Sequence, residues 1–199
     1  MKLLYVDCCI SQRGTHSRTA QLCRAFLTGA QAGGTVQTEH LDLKKQTLAP
    51  FTAAMLDARD ARFAARSWDD PLYALARQFR DAEGILVGAP FWDLSFPAQL
   101  RIYLEHISAN GITYFYDETG PHGSCKAQWL VYLTSGGDFE RADSLGVAYW
   151  RQLCGMYGIP RFHSLFAGGL DADPAQAAAI LAQTCEKAAV LGRSLVPGR

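Results

Sequence analysis

The stretch Gly84-Ile85-Leu86-Val87-Gly88-Ala89-Pro90-Phe91-Trp92-Asp93-Leu94-Ser95-Phe96-Pro97 decides the fold. Ile85 to Val87 is apolar, partly β-branched and uncharged, the pattern of a strand buried on both faces. Pro90 stops that strand, and two large rings, Phe91 and Trp92, follow at the turn. Ser95 reads as a helix cap, with Pro97 tolerated in the first turn. Leu100, Tyr103, Leu104 and Ile107 then fall at i, i+3, i+4 and i+7, one apolar face of a helix that Asn110-Gly111 ends. Two aromatics and an acid therefore stand on a loop between a central strand and a helix, where open α/β sheets bind ligands. The plain alternative is that Phe91 and Trp92 only plug the sheet edge.

Outward from that unit, strands and helices alternate. Strand one covers residues 3–8, followed by a loop and a helix over 16–30, and strand two covers 36–43. A loop over 46–51 leads to an Ala- and Arg-rich helix over 52–67. Asp69-Asp70-Pro71 opens the helix before strand three, with acids at the positive end of the helix dipole. Tyr114-Phe115-Tyr116 reads as a short strand, half of a hairpin. Strand four covers 129–134, a helix 143–157, and strand five 162–167. Asp173-Pro174 opens a last helix reaching about Gly192, with a loose tail after it. Such alternation predicts one domain, residues 1–199, with a doubly wound five-stranded parallel sheet in the order 2-1-3-4-5 and helices on both faces.

Composition narrows the function. Apolar residues make up 49% of the 199 and charged residues 19%, which excludes a disordered chain. Lysine plus arginine equals aspartate plus glutamate at 19 each, so the basic field that nucleic-acid binding needs is missing. No apolar run approaches the ~20 residues of a membrane span, and Asp7 cuts short the apolar start, so a cytoplasmic location is expected. The six cysteines, at 8, 9, 23, 125, 154 and 185, form no C-x-x-C pair, and the five histidines show no metal-ligand spacing, so no metal site is expected.

Three loops converge in this topology. The first, after strand one, holds Ser11, Gly14, Thr15, His16, Ser17 and Arg18 and opens a helix, a setting that suits an anion or phosphate. It is neither G-x-G-x-x-G nor a Walker G-K-[ST], and Thr15 or Ser17 can equally be an ordinary helix cap. Cys8 or Cys9 at the same place raises a nucleophile reading. The oxyanion loop C-x5-R of low-molecular-weight phosphatases needs an arginine where this chain has Gly14 or Thr15, which argues against it. The second loop is the aromatic one described above. The third, Ser135-Gly136-Gly137, permits close approach of backbone to a flat ring. A phosphate seat, an aromatic wall and a glycine platform together suit a mononucleotide with a ring system, and a flavin best.

At these residues the chain resembles the FMN-dependent NADH-azoreductases of the flavodoxin-like quinone reductase superfamily, over residues 3–195. That family reads A-P-M-[YW]-N-F where this chain has Ala89-Pro90-Phe91-Trp92-Asp93-Leu94. A helix with Q-L-K and then G-x-T-F-x-Y match Gln99-Leu100 and Gly111 to Tyr116. S-x-S aligns with Thr15-His16-Ser17, and T-S-x-G-G with the one-residue-shorter Thr134-Ser135-Gly136-Gly137. The resemblance implies an FMN site: Thr15 and Ser17 at the phosphate, with Cys9 where a serine is usual; Pro90, Phe91, Trp92, Asp93 and Leu94 along the ring and ribityl chain; Ser135, Gly136 and Gly137 at the ring's polar edge. It also implies a homodimer with sites at the interface, where Tyr116 reaches the partner's flavin. The implied reaction is a two-electron ping-pong transfer from NADH or NADPH to a small aromatic acceptor such as a quinone or azo compound. Asp93 replaces the family's asparagine, where a carboxylate disfavours an anionic reduced flavin unless protonated or paired, and can act as a proton donor. Gly168 stands where many relatives carry glutamate. Two other readings stay open: a flavin enzyme dedicated to one pathway substrate, and a flavodoxin-like electron carrier.

Overall fold

The computed structural model describes residues 1–138, 144–172, 174–196 and 198. Five strands form one sheet: β1 (Lys2–Asp7), β2 (Gln37–Asp42), β3 (Gly84–Gly88), β6 (Leu130–Ser135) and β7 (Phe162–Ala167). Two more, β4 (Tyr114–Asp117) and β5 (Gly120–Gly123), pair antiparallel as a separate hairpin. The sheet order is β2-β1-β3-β6-β7 and every pairing is parallel. With the hairpin set aside, this is the expected 2-1-3-4-5.

Helices cover both faces. On one lie α1 (Arg18–Gly33) and α6 (Ala177–Leu195), over Leu3, Tyr5, Leu86, Trp129 and Val131. These two helices approach until backbone meets backbone: a Cβ on Gly29 would stand 1.9 Å from the carbonyl oxygen of Ala189, and one on Gly192 2.2 Å from that of Phe26. On the other face α3 (Ala74–Asp81), α4 (Ala98–Ile107) and α5 (Leu145–Tyr157) pack Phe79, Tyr103, Trp150 and Tyr157 against Val6, Ile85, Val87 and Tyr132. The remaining helix, α2 (Ala53–Ala64), begins at Thr52, whose hydroxyl accepts the Met55 N–H, and buries no residue fully.

Several boundaries differ from the sequence reading, each for a local reason. Ser95 does not cap α4. The helix begins after Pro97, because the residue preceding a proline is excluded from helical backbone. Ser95 instead donates its N–H to the Trp92 carbonyl at 2.8 Å and closes a turn. Helix α4 also stops at Ile107, before Asn110-Gly111, because Thr113 Oγ1 accepts the Ala109 N–H and donates to the Ile107 carbonyl. Gly111 remains indispensable: its φ is +83° and a Cβ would lie 2.6 Å from the Trp68 ring. His16 belongs to a short 3-10 turn, Gly14–His16, so α1 starts two residues later than expected, at Arg18. Asp70 does act as a cap, accepting the Leu72 N–H at 2.9 Å at the start of the turn Pro71–Tyr73. The chain after Gly192 is not loose as far as Val196, which is buried with Leu195. Asp143 and Asp173, the expected starts of two helices, lie outside the described residues.

Candidate functional site

The carboxyl ends of β1, β3 and β6 open into a cleft of about 270 Å³. Of the residues expected there, Cys9, Ser17, Pro90, Phe91, Trp92, Ser135, Gly136 and Gly137 line it. The other four stand elsewhere. Thr15 lies exposed in the 3-10 turn, where its carbonyl, not its hydroxyl, is engaged, by Arg24 Nη2 at 2.9 Å. Asp93 and Leu94 form the tip of the next loop, outside the cleft lining. Tyr116, on β4, is 65% exposed and reaches no part of the cleft within its own chain.

The first wall is the start of α1. Ser17 caps the helix, its hydroxyl accepting the Ala20 N–H at 3.3 Å. The helix's first N–H groups have no intrahelical acceptor and leave its positive end facing the cleft. Burial works against either cysteine acting as a nucleophile here. Burial pushes the Cys8 thiol up to about 12. Burial likewise drives the Cys9 thiol far up, with Cys23 and Asp7 adding to the rise and the neighbouring Ser17 hydroxyl opposing it. A thiol raised in this way favours its protonated form at neutral pH, and the thiolate is the nucleophile. Asp7 holds the loop from beneath, accepting the Cys9 N–H at 2.9 Å while His40 Nε2 stands 3.1 Å from its other oxygen.

The second wall is the loop 89–97. Its base is pinned to the sheet by the Ala89 and Phe91 N–H groups, which donate to the carbonyls of Leu133 and Ser135. Phe91 packs edge-on against Phe166, with ring centres 5.4 Å apart. Past Trp92 the backbone turns through Asp93 at φ +49° and Leu94 at φ +64°. Asp tolerates this left-handed region, but a leucine there is strained by roughly 1–2 kcal/mol. The turn projects Trp92 and Leu94 outward, 44% and 54% exposed.

The third wall is the glycine platform. A Cβ on Gly136 would lie 3.0 Å from the Phe166 ring and 3.1 Å from Phe91, and one on Gly137 would lie 2.5 Å from the Asp171 carboxylate. Glycine at both positions is what lets Phe91, Phe166 and the Asp171 carboxylate pack directly onto this stretch of backbone. The floor is stitched to the loop after β7: Leu170 N–H donates to the Gly136 carbonyl, and the Asp171 and Ala172 N–H groups both donate to that of Gly137. It is joined to α1 by one buried hydrogen bond, Thr19 Oγ1 to Ser135 Oγ at 2.7 Å.

Comparison with known proteins places this cleft in a family. Residues 1–191 match the family described as having a flavodoxin-like fold. The chain is 30% identical over 195 residues to FMN-dependent NADH:quinone oxidoreductase 2 of Clostridium acetobutylicum, covering 94% of this chain and 96% of that one. The chain belongs to the FMN-dependent NADH:quinone oxidoreductase family. The backbone matches the structure of an azoreductase from Bacillus anthracis with a TM-score of 0.85 at 22% identity, covering 98% of this chain and 99% of that one. It also matches that of an FMN-dependent NADH-azoreductase from the same species, solved in complex with FMN, with a TM-score of 0.82 at 15% identity over 98% and 99% of the two chains. The family's fold accounts for the cleft's position at the switch between β1 and β3.

The cleft also holds Arg13, Thr19 and Asp171, which sequence reasoning did not assign to it, beside Ser11 and Arg18, which it named in the anion-suited loop without giving them a role. Ser11 and Arg18 carried a signal, standing in the strand-one loop. Arg13 lay in the same loop without a motif to mark it. Thr19 and Asp171 carried none, because each acts through a partner more than a hundred residues away.

Proposed function

We propose that this chain is an FMN-dependent oxidoreductase that passes two electrons from NADH or NADPH to quinones, azo compounds or related aromatic acceptors. The observation carrying this is the convergence in one cleft of a helix start with two arginines, an aromatic wall and the Ser135-Gly136-Gly137 turn. Those features fit FMN part by part: cations and backbone N–H groups for the phosphate, Pro90, Phe91 and Trp92 for the ring's flank, and Ser135 to Gly137 for its polar edge. Bound there, FMN supplies two-electron transfer between a nicotinamide and an electrophilic aromatic compound. The protein's own share is to bind, orient and exclude water. Phe91 and Phe166 set the wall, and the strained turn at Asp93 and Leu94 presents Trp92 and Leu94 toward an entering substrate. Asp93, at the tip of that turn, is the candidate proton donor to the reduced acceptor.

The exposure of Tyr116 and of Phe115 on the hairpin supports a homodimer in which this hairpin completes the partner's cleft. Donor and acceptor then occupy the same space in turn, which gives ping-pong kinetics. Steady-state rates with NADH varied against a quinone and against an azo dye test this. Parallel double-reciprocal lines with both acceptors are expected. Converging lines would contradict alternate occupancy, and turnover of neither class would contradict the acceptor assignment. Absence of NADH oxidation alongside tight FMN binding would instead favour an electron carrier.

A further inference from the structure

Phe166 stands next to the end of β7, opposite Thr134 on β6. Among the described residues, its half-buried ring belongs to neither of the cores on the two sheet faces, and the same holds for Phe91. The two rings have each other instead, with centres 5.4 Å apart and planes at 70°. Their backbones are fixed by the end of β6. Phe91 N–H donates to the Ser135 carbonyl at 2.9 Å, and Gly136 N–H donates to the Ala167 carbonyl at 3.0 Å. What the backbone leaves open is how each ring is turned about its own side-chain bonds.

Two glycines settle that. A Cβ on Gly136 would lie 3.0 Å from the Phe166 ring and 3.1 Å from the Phe91 Cβ, so the turn fits against the pair only without a side chain. Gly168 is tighter still. A Cβ there would stand 2.3 and 2.8 Å from two atoms of the Phe166 ring, and 2.9 Å from the Asp138 carbonyl oxygen. Gly168 is not in the left-handed region, unlike Gly169 at φ +74°, so its own backbone does not call for glycine. The Phe166 ring fills the space that a side chain at position 168 would take.

We infer that Phe166 is a positioning residue: its ring, seated over Gly168, holds Phe91 in the cleft wall, and through Phe91 it fixes where the cofactor's ring lies. The last of these steps rests on the function proposed above. Phe91 lines the cleft and Phe166 does not, so Phe166 acts from behind the wall. An edge-to-face aromatic pair shifts an equilibrium by about 2- to 10-fold, and Phe91 released from it is free to turn out of the wall. Gly168 serves the same end, since any side chain there drives the Phe166 ring off its seat.

The test is a double-variant cycle on Phe166→Ala and Gly168→Ala, with Phe166→Leu as a milder change that keeps bulk and removes the ring. Dissociation constants for FMN and riboflavin are read by flavin fluorescence, and the visible circular dichroism of each bound flavin is recorded at saturation. Loss of the aromatic pair predicts about 2- to 10-fold weaker binding of both flavins by Phe166→Ala, with an altered visible dichroism band. Gly168→Ala gives a loss of the same range and direction, and the double variant binds no worse than the worse single. Where Phe166→Ala does not fold, Phe166→Leu and Gly168→Ala carry the same comparison. A ring needed only for folding would lower the melting temperature and leave the dichroism of the bound flavin unchanged. That result, or unchanged affinities, would overturn the positioning role. Additive losses in the cycle would show Gly168 acting through the Asp138 carbonyl and would overturn its link to Phe166. A wild type that binds neither flavin would refute the proposed function, whereas one that binds both and is unmoved by all three changes would refute the role of Phe166 alone.

Discussion

Thr19→Val is the most informative single change to the cleft. It keeps the side chain's shape and removes one hydroxyl, leaving the Ser135 hydroxyl, itself buried, without its 2.7 Å partner. Stranding a buried hydroxyl costs about 1–3 kcal/mol, whereas a satisfied hydrogen bond contributes only about 0.5–1.5 kcal/mol net. Ser135→Ala strands Thr19 in the same way and has a cost of the same size. The double variant strands nothing, so its cost is about 0.5–1.5 kcal/mol, less than the sum of the singles. In a chain of this length each kcal/mol moves the melting temperature about 2–4 °C. Thermal unfolding of the four cofactor-free proteins reads this directly: each single variant melts about 2–12 °C lower, and the double variant no lower than the worse single. Because the bond joins the α1 wall to the glycine floor, both singles also weaken FMN binding. Additive losses in melting temperature, or no loss in Thr19→Val, would refute the claim that this hydrogen bond ties the two walls.

Other changes follow from the same geometry. Cys9→Ser restores a hydroxyl donor at the phosphate end and tightens FMN binding about tenfold, read by fluorescence titration; unchanged affinity would show that position 9 does not face the phosphate. Gly123→Ala would place a Cβ 2.0 Å from backbone atoms of Tyr157 and Gly158, so it displaces the hairpin from α5. A loss of more than about 2 kcal/mol in urea unfolding is expected, together with loss of the proposed dimer in size-exclusion chromatography. Arg80 and then Lys126, each 2.7 Å from the Asp81 carboxylate, hold its acidity at about 2 against the burial that opposes them. A folded-state value below the unfolded one of about 4 means that its stabilisation is complete above pH ~4 and is lost as pH falls toward 2. The urea midpoint therefore drops more steeply across that window in wild type than in Asp81→Asn. Buried thiols at 8, 23 and 154 react with a disulfide reagent at pH 8 only after unfolding; fast modification of Cys8 in the native protein would reopen the nucleophile reading.

The architecture was legible because its signals are local. Short apolar runs around Ile85 and Leu130, too short for helices and flanked by breakers, read as buried strands, and their alternation with helices leaves few topologies. The aromatic loop and the glycine floor were legible for a related reason: each follows a strand at its carboxyl end, where a two- or three-residue signature is enough. Boundaries that depended on a single cap were less so. Ser95 looked like a helix start, but Pro97, two residues on, controls where α4 can begin. Ser17 was both things at once, a helix cap and a cleft residue. The cross-cleft pairs left no trace in the sequence: Thr19 with Ser135 and Arg18 with Asp171 are separated by 116 and 153 residues. Neither has a periodicity or motif to announce it, and only the fold brings the partners together.

The central claim, that this cleft binds FMN and accepts electrons from a nicotinamide, is tested most directly by one spectrum. The purified protein is mixed with FMN, desalted and titrated with NADH under anaerobic conditions. Retention of flavin absorbance through desalting and its bleaching by NADH are the predicted result. Flavin that washes out completely, or that stays bound and unbleached by both NADH and NADPH, would contradict it.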